Sequence, residues 1–282
     1  MGSFAGHAIP GTFFIGLAIW WTVAQFLRYF MCLERKTRFK STPTYPLSCG
    51  KHSFSLFEPI LKICVVSIGL FGEIYTGYDS TKGKFTFPGN AQHATMFTFY
   101  GIGGVIDILV HYGAPLPKDI EYAVALLALG VECLLFHFHL HDRSPLDVRL
   151  HTLLIYAIVF NIVGVILEMK YRHNLLAGLS RSYFFFVQGT WFWQIGFIMY
   201  NPSPNAQPWK ADDQEEMMYV TMYLSWHYLI VLLTMLILGS SVACIHRHCN
   251  HSNQATYLPM KRITTHRNEN FISIEDSGDS EL

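Results

Sequence analysis

The stretch from Glu132 to His151 places an acid and several imidazoles between two long apolar runs. It reads ECLLFHFHLHDRSPLDVRLH, and its histidines are His137, His139, His141 and His151. Ionisable groups are costly to place in an apolar environment, so these side chains either bind a partner or face water. Neutral imidazoles are suitable ligands for zinc, copper or haem iron, and a nearby carboxylate can orient one of them. The stretch therefore predicts a metal or small-ligand site.

The composition indicates that this site belongs to a membrane protein. Of the 282 residues, 51% are hydrophobic and only 14% are charged, whereas a soluble protein has about 25% charged residues. The 20 Lys and Arg residues are balanced by 20 Asp and Glu residues, which gives no case for nucleic-acid binding. The expected partner is instead the lipid bilayer.

Apolar segments long enough to cross a bilayer occur along most of the chain. A spanning helix needs about 20 mostly apolar residues, and helices satisfy their own backbone hydrogen bonds in lipid. We therefore predict an all-α fold, a polytopic bundle of seven transmembrane helices in residues 1–245. The predicted spans are 9–31, 57–77, 92–113, 120–141, 149–169, 179–200 and 217–244.

The loops differ in positive charge, which predicts an orientation. With seven spans, thirteen Lys and Arg residues fall on the side of the C-terminus and five on the other side. Because positive loops stay in the cytosol, we expect a lumenal or extracellular N-terminus and a cytosolic C-terminus. Residues 246–282 are polar and are predicted to be a disordered tail. Within this tail, Tyr257 to Met260 (YLPM) fits a pattern bound by sorting adaptors.

The predicted topology gathers histidines in the lumenal half of the bundle. His93 begins span three, His139 ends span four, His151 begins span five and His227 lies in span seven. These four imidazoles are the candidate metal ligands, with zinc, copper or haem as the candidate cofactor. Glu132 is seven residues before His139 and shares its helix face, so it is a candidate orienting acceptor or proton carrier.

Other polar residues have weaker claims on this site. Asp107 shares a helix face with His93 and is a second candidate proton carrier, although about four helical turns separate the two. Gln188, Trp191 and Gln194 in span six are candidate pocket-lining residues. The three remaining histidines of this half are expected to be rim or packing residues: His7, His137 and His141. Lys62 and Glu58 lie four residues apart and can pair within their helix.

Several of these segments resemble one known family. They are GHAIPG at 6–11, the Gln92–His93 pair, FHFHLHDRSPLDVRLH at 136–151, QGTWFWQIGF at 188–197 and Trp226–Tyr228. Together they resemble the transmembrane protein 45 family over roughly residues 1–240. The resemblance implies a seven-span protein of unknown function, resident in Golgi, endosome, lysosome or plasma membrane. It implies no particular chemistry.

Three hypotheses for the function remain open. The first is a membrane protein that holds a metal or small ligand in a histidine- and acid-lined site. The second is a metal-dependent enzyme with Glu132 or Asp107 as proton acceptor, or a proton-coupled transporter using Asp107 and Glu168. The third is a non-enzymatic trafficking or scaffolding protein whose tail carries sorting signals. The sequence names no substrate for any of them.

Overall fold

The computed structural model describes residues 2–49, 52–140 and 143–256. Cα positions divide the chain into two units, and the first of them ends at His246. The sorting pattern predicted at Tyr257 to Met260 lies outside the described residues, as does His141.

The described part of the chain contains seven helices and two short hairpins. The hairpins pair β1 (Leu47–Cys49) with β2 (His52–Phe54), and β3 (Tyr78–Asp79) with β4 (Lys84–Phe85). The helices are α1 (Phe4–Glu34), α2 (Phe57–Gly77), α3 (Pro88–His111), α4 (Ile120–His139), α5 (Pro145–Lys170), α6 (Leu175–Tyr200) and α7 (Gln214–Thr256).

Each predicted span overlaps one of these helices, and five of the seven helices are long and apolar enough to cross a membrane. The five are Phe4–Glu34, Pro88–His111, Ile120–His139, Pro145–Lys170 and Gln214–His248. The other two helices, α2 and α6, have 21 and 26 residues. They carry buried polar groups, Glu58 in α2 and Arg181 and Gln188 in α6. The helical membrane fold is therefore confirmed, and a count of seven spans stays a prediction.

Local signals fix where the helices that carry the site residues begin. Ser3 caps α1 by accepting a hydrogen bond from the backbone N–H of Gly6 at 3.0 Å. Ser144 caps α5 in the same way through the N–H of Asp147, with Pro145 in the first turn. Both caps satisfy donors that a helix start leaves free, and Pro is favoured at that position.

The first six helices close into a ring in which neighbours run antiparallel. Helix α6 packs against both α1 and α5, and α2, α3, α4 and α5 follow one another round the ring. Gln92 contacts His139, whereas Tyr100 contacts Glu132, so α3 and α4 run in opposite directions. The end of the ring where α1 begins is called the N-terminal end below, and the other the opposite end.

Helices α1 and α6 approach each other through glycine. A Cβ added at Gly189 would lie 2.9 Å from the carbonyl oxygen of Gly11 and 2.9 Å from the amide nitrogen of Ile15. A Cβ at Gly178 would lie 2.4 Å from Oε1 of Gln25, further along α1. Small residues let helix backbones pack closely in membranes, and here they set the position of α1 in the ring.

Helix α7 runs parallel to α1. Phe26 of α1 packs on Gly239, where an added Cβ would be 2.6 Å from the ring. One turn later along α1, the ring of Phe30 lies 6.1 Å from that of His246. The buried residues Val220, Leu224, Val231 and Met235 of α7 join the hydrophobic core. The seven helices therefore alternate in direction along the chain.

Candidate functional site

Four histidines from four different helices meet at the N-terminal end. The ring centres of His93 and His139 are 5.3 Å apart, and those of His139 and His151 are 6.0 Å apart. The ring of His7 lies 5.9 Å from that of His151. Phe136 packs among them, with its ring 5.9 Å from His151 and 6.4 Å from both His93 and His139. We call His7, His93, His139 and His151 the histidine cluster.

The hydrogen bonds of His139 define its tautomer. Arg143 donates from Nη2 to Nε2 of His139 at 2.8 Å, and an arginine has no acceptor. Nε2 must therefore be unprotonated, so Nδ1 carries the proton and donates to Oε1 of Gln92 at 2.7 Å. Both ring nitrogens are thus engaged by side chains. His139 is consequently held in place rather than free to take a ligand.

Among the described residues, the other three imidazoles have hydrogen-bond partners at Nδ1 only. His151 donates to the Asp147 carboxylate at 2.7 Å and lies 3.0 Å from the Asp147 carbonyl oxygen. His93 donates to Oε1 of Glu73 at 3.2 Å, and His7 donates to the Ser3 carbonyl oxygen at 2.9 Å. A proton on Nδ1 of a neutral imidazole leaves Nε2 as an acceptor. Metal-binding histidines are commonly oriented by such carbonyl and carboxylate acceptors.

A small cavity lies beside this cluster. It has a volume of about 60 Å³, and its polar lining consists of His7, Glu73, His93, Tyr100 and Glu132. This volume has room for a few water molecules. None of its lining residues is a lysine or an arginine, so the lining is rich in acceptors. We call it the histidine cavity.

Glu132 lines the histidine cavity and accepts hydrogen bonds from side chains of two other helices. The Tyr100 hydroxyl donates to its Oε2 at 2.6 Å. The Gln188 amide donates to both carboxylate oxygens, at 2.9 Å and 3.0 Å. The Asn161 amide in turn donates to Oε1 of Gln188 at 3.1 Å. Glu132 is only 2% exposed, and these bonds offset the cost of burying its carboxyl group.

Three of the residues predicted as ligands or lining lie elsewhere, namely His227, Trp191 and Gln194. Nε2 of His227 is 3.3 Å from Oε1 of Gln194. The His227 ring packs edge to face with that of Trp191, with ring centres 5.5 Å apart. Trp191 itself is buried in the core and donates from Nε1 to the Leu150 carbonyl oxygen at 3.1 Å. Of the predicted metal set, the structure thus brings together His93, His139 and His151, and leaves His227 with α6.

His7 takes the remaining place in the cluster, which sequence reasoning missed. The predicted first span began at residue 9, whereas α1 begins at Phe4 and buries His7 in its second turn. The Ser3 cap was the available signal, because serine before an apolar run is typical of a helix start. His137, predicted as a rim residue, is exposed.

Asp107, predicted as a proton carrier, pairs with another charged group at the opposite end. The Lys62 ammonium lies 2.8 Å from Glu58, as predicted, and 3.0 Å from Asp107, which is its second carboxylate partner. Glu58 is fully buried and also accepts hydrogen bonds from Nε1 of Trp21 at 2.9 Å and from the Tyr45 amide at 3.0 Å. Asp107 therefore lies apart from the histidine cluster.

Glu168 also pairs at the opposite end. Nε of Arg181 lies 2.5 Å from its carboxylate, and both side chains are buried. The Arg181 guanidinium lies over the Trp21 ring at 4.0 Å and donates to the Pro43 carbonyl oxygen at 3.0 Å. These bonds hold the loop after α1 against the bundle.

The histidine cluster is not a preformed metal centre. The described residues hold no group of three or more His, Cys, Asp or Glu side chains placed to bind a metal ion. Two imidazoles on one tetrahedral zinc ion have ring centres roughly 5 Å apart, given Zn–N bonds of about 2.0–2.1 Å. The spacings of 5.3–6.0 Å in the cluster exceed this by less than about one ångström. Two of these three spacings involve His139, whose ring nitrogens are both hydrogen-bonded, so they do not place three free imidazoles around one ion.

Comparisons with known proteins support a membrane family. A family model described as "Family of unknown function (DUF716)" matches residues 118–239. The chain is 26% identical over 252 residues to Transmembrane epididymal protein 1A of Mus musculus. The aligned region covers 84% of this chain and 79% of that protein. It is 26% identical over 148 residues to Transmembrane epididymal protein 1 of Homo sapiens, covering 52% and 54% of the two chains.

These similarities and the five apolar helices identify a multi-pass integral membrane protein of unknown function. The family model covers Glu132, His139 and His151, but not His7 or His93. The finer resemblance to the transmembrane protein 45 family stays a prediction.

Proposed function

We propose that the chain is a DUF716 membrane protein whose seven helices all cross the bilayer, with the N-terminal end of the bundle lumenal or extracellular. The alternating helix directions support this topology. Helices of 21 and 26 residues are about 31 and 39 Å long at 1.5 Å per residue, which is enough for α2 and α6 to span. Lys62 and Arg181 have buried carboxylate partners, which lowers the cost of placing them in lipid.

Within that topology, we propose that the protein binds a small cation in the histidine cavity. The observation that carries the proposal is the convergence of four imidazoles from α1, α3, α4 and α5 beside a cavity lined by Glu73 and Glu132. Imidazoles and acids inside a membrane bundle are expensive to place and commonly mark ion or proton sites.

The charge and hydrogen bonding of the lining favour a cation over an anion. Nδ1 of His7 and His93 donates away to Ser3 and Glu73, which leaves Nε2 of each ring as an acceptor. The Tyr100 hydroxyl is already used by Glu132. The groups that remain available are lone pairs and carboxylate oxygens, and these attract a positive ion.

Zinc or copper suits these ligands better than haem does. A cavity of about 60 Å³ accommodates a bare ion, whereas pockets for drug-sized molecules have about 300–1,000 Å³. The ligands we propose are His7 and His93, which line the cavity, and His151, whose ring centre lies 5.9 Å from that of His7. Nδ1 of each is already oriented. His139 acts as a support, because both of its nitrogens are bonded, and His227 is not part of the set.

Zn²⁺ titration of the purified full-length chain in nanodiscs tests this proposal. The titration is run above a pH of about 7, because metal ions bind the neutral form of imidazole and protons compete with them at lower pH. The wild-type chain is expected to show one saturable Zn²⁺ site. His93→Ala and His151→Ala should each weaken it strongly, because each removes a proposed ligand.

His137→Ala and His227→Ala are the matched controls, since they remove imidazoles that lie outside the cluster. Both are expected to bind Zn²⁺ as the wild type does. A wild-type chain without saturable Zn²⁺ binding would contradict the proposal. Equal loss in the His227→Ala and His93→Ala variants would contradict the ligand set.

A further inference from the structure

A second cavity lies on the far side of the layer formed by Glu132, and no role has been assigned to it. It has a volume of about 80 Å³ and includes Tyr122 and Asn161 in its lining. Oδ1 of Asn161 is buried and has no hydrogen-bond partner among the described residues. Buried polar atoms are normally satisfied, by water if not by protein. This volume has room for a few water molecules, so we call it the inner water cavity.

Both cavities have ionisable groups in their walls. The inner water cavity is lined by Lys62, Asp107, Glu121 and Arg181. On the other side of the layer, the histidine cavity is lined by His7, Glu73 and His93. Both cavities can therefore exchange protons with groups in their own walls.

One hydrogen-bonded layer separates the two cavities and touches both. The Tyr100 side chain lines each of them, and its hydroxyl lies 2.6 Å from Oε2 of Glu132. A second chain of bonds leads from Glu132 through Gln188 to Asn161, which lines the inner water cavity. Glu132 is the only acid of this layer among the described residues. It also lines the histidine cavity.

We infer that Glu132 and Tyr100 transfer protons between the histidine cavity and the inner water cavity, so that the protein conducts protons through its bundle. The inference goes beyond the proposed cation binding and does not require it. Chains of acids, imidazoles and water are the usual proton path within membrane helices. Between the two cavities, a proton must pass through this layer.

The transfer balances as two linked proton movements. A hydronium ion in the histidine cavity gives a proton to Oε2 of Glu132 and becomes water, and the neutral carboxyl group then donates to the Tyr100 oxygen. The Tyr100 hydroxyl turns its own proton toward a water molecule of the inner water cavity. The Glu132 O–H bond breaks as a new O–H bond forms on Tyr100, whose former proton passes to that water. Glu132 is again a carboxylate, Tyr100 is neutral, and one proton has moved.

Proton flux into liposomes that contain the full-length chain tests this inference. A pH-sensitive dye inside the vesicles reports the flux driven by a potassium diffusion potential. The wild type is expected to conduct faster than protein-free vesicles. Glu132→Gln keeps the size of the side chain but removes its titration, so the flux should fall to the rate of protein-free vesicles.

Tyr100→Phe is the second test variant, because it removes the bridging hydroxyl and keeps the ring. Its flux should also be lost. Tyr183→Phe is the matched control, since the Tyr183 hydroxyl donates to the Tyr228 carbonyl oxygen at 2.9 Å and lies outside the layer. It should conduct as the wild type does. Size-exclusion profiles and thermal midpoints show that each variant is folded before flux is compared.

Wild-type flux equal to that of protein-free vesicles would overturn the inference, and so would undiminished flux in both Glu132→Gln and Tyr100→Phe. The result is separable from the proposed Zn²⁺ binding. Saturable Zn²⁺ binding without Glu132-dependent flux contradicts the inference alone. Glu132-dependent flux without Zn²⁺ binding contradicts the cation-site proposal and leaves the transfer step standing.

Discussion

Replacing Gly189 by alanine should force α1 and α6 apart. The added Cβ would lie 2.9 Å from the Gly11 carbonyl oxygen, from the Ile15 amide nitrogen and from Cβ of Phe14. Two of these atoms belong to the backbone and cannot rotate away, and ordinary contacts of a Cβ begin at 3.4 Å. The helices must therefore separate by about half an ångström. Overpacking of this kind costs about 1–3 kcal/mol.

Gly16→Ala is the matched control, because it makes the same chemical change within α1. A Cβ at Gly16 meets nothing within 4 Å. Both variants gain helix propensity, up to roughly 1 kcal/mol per Gly→Ala change, so their difference isolates the packing cost. We expect Gly189→Ala to be about 1–3 kcal/mol less stable than Gly16→Ala.

Equilibrium unfolding in mixed detergent micelles, followed by tryptophan fluorescence, measures this difference. The comparison is internal, so it does not depend on the absolute stability of the bundle. If Gly189→Ala unfolds at the same denaturant concentration as Gly16→Ala, or at a higher one, the backbone contact of α1 with α6 is not as close as the structure has it.

Two further predictions concern charged groups. Glu58→Ala should cost about 3–5 kcal/mol of unfolding free energy, because it removes the fully buried carboxylate partner of the Lys62 ammonium, which then keeps Asp107. Lys82→Ala breaks an exposed pair and should cost at most about 1 kcal/mol. Equal unfolding midpoints for the two variants would refute this. In the β3–β4 hairpin, the Thr81 hydroxyl donates to Asp79 at 2.6 Å and holds the pKa of that carboxyl below its usual range. This contribution is present above the unfolded pKa and is lost as pH falls through the folded pKa. Thr81→Ala should raise the Asp79 pKa, as measured by NMR titration, and an unchanged value would show that the backbone N–H donors alone lower it.

The helices could be predicted from the chain because their signals are local. Apolar runs of about 20 residues and caps such as Ser144 lie within a few residues of the elements they define. The Glu58–Lys62 pair was predictable for the same reason, since residues four apart share a helix face. The start of α1 was placed too late because the prediction began at the apolar run and passed over the Ser3 cap.

Contacts between helices were predicted less completely. His139 and His151 come together partly because a short connection makes α4 and α5 neighbours. His227 lies in the half of the bundle that the sequence indicated, but α7 turns this side chain toward Trp191 and Gln194. Asp107 shares a face with His93, as its spacing requires, yet its partner is Lys62 of α2. Spacing along one helix defines a face and does not identify the helix that the face meets.

The sequence by itself determined the class of protein, the approximate place of each helix and the residue types available for a site. Those properties follow from hydrophobicity and periodicity, which each segment carries alone. Only the tertiary structure decided that His7 joins the cluster, that Glu132 bonds Tyr100 and Gln188, and that two cavities lie on either side of this layer. The physical reason is that such contacts depend on the rotation and separation of packed helices. The close approach of Gly11 and Gly189 fixes the rotation and separation of α1 and α6, and this distance cannot be read from the sequence of either helix alone.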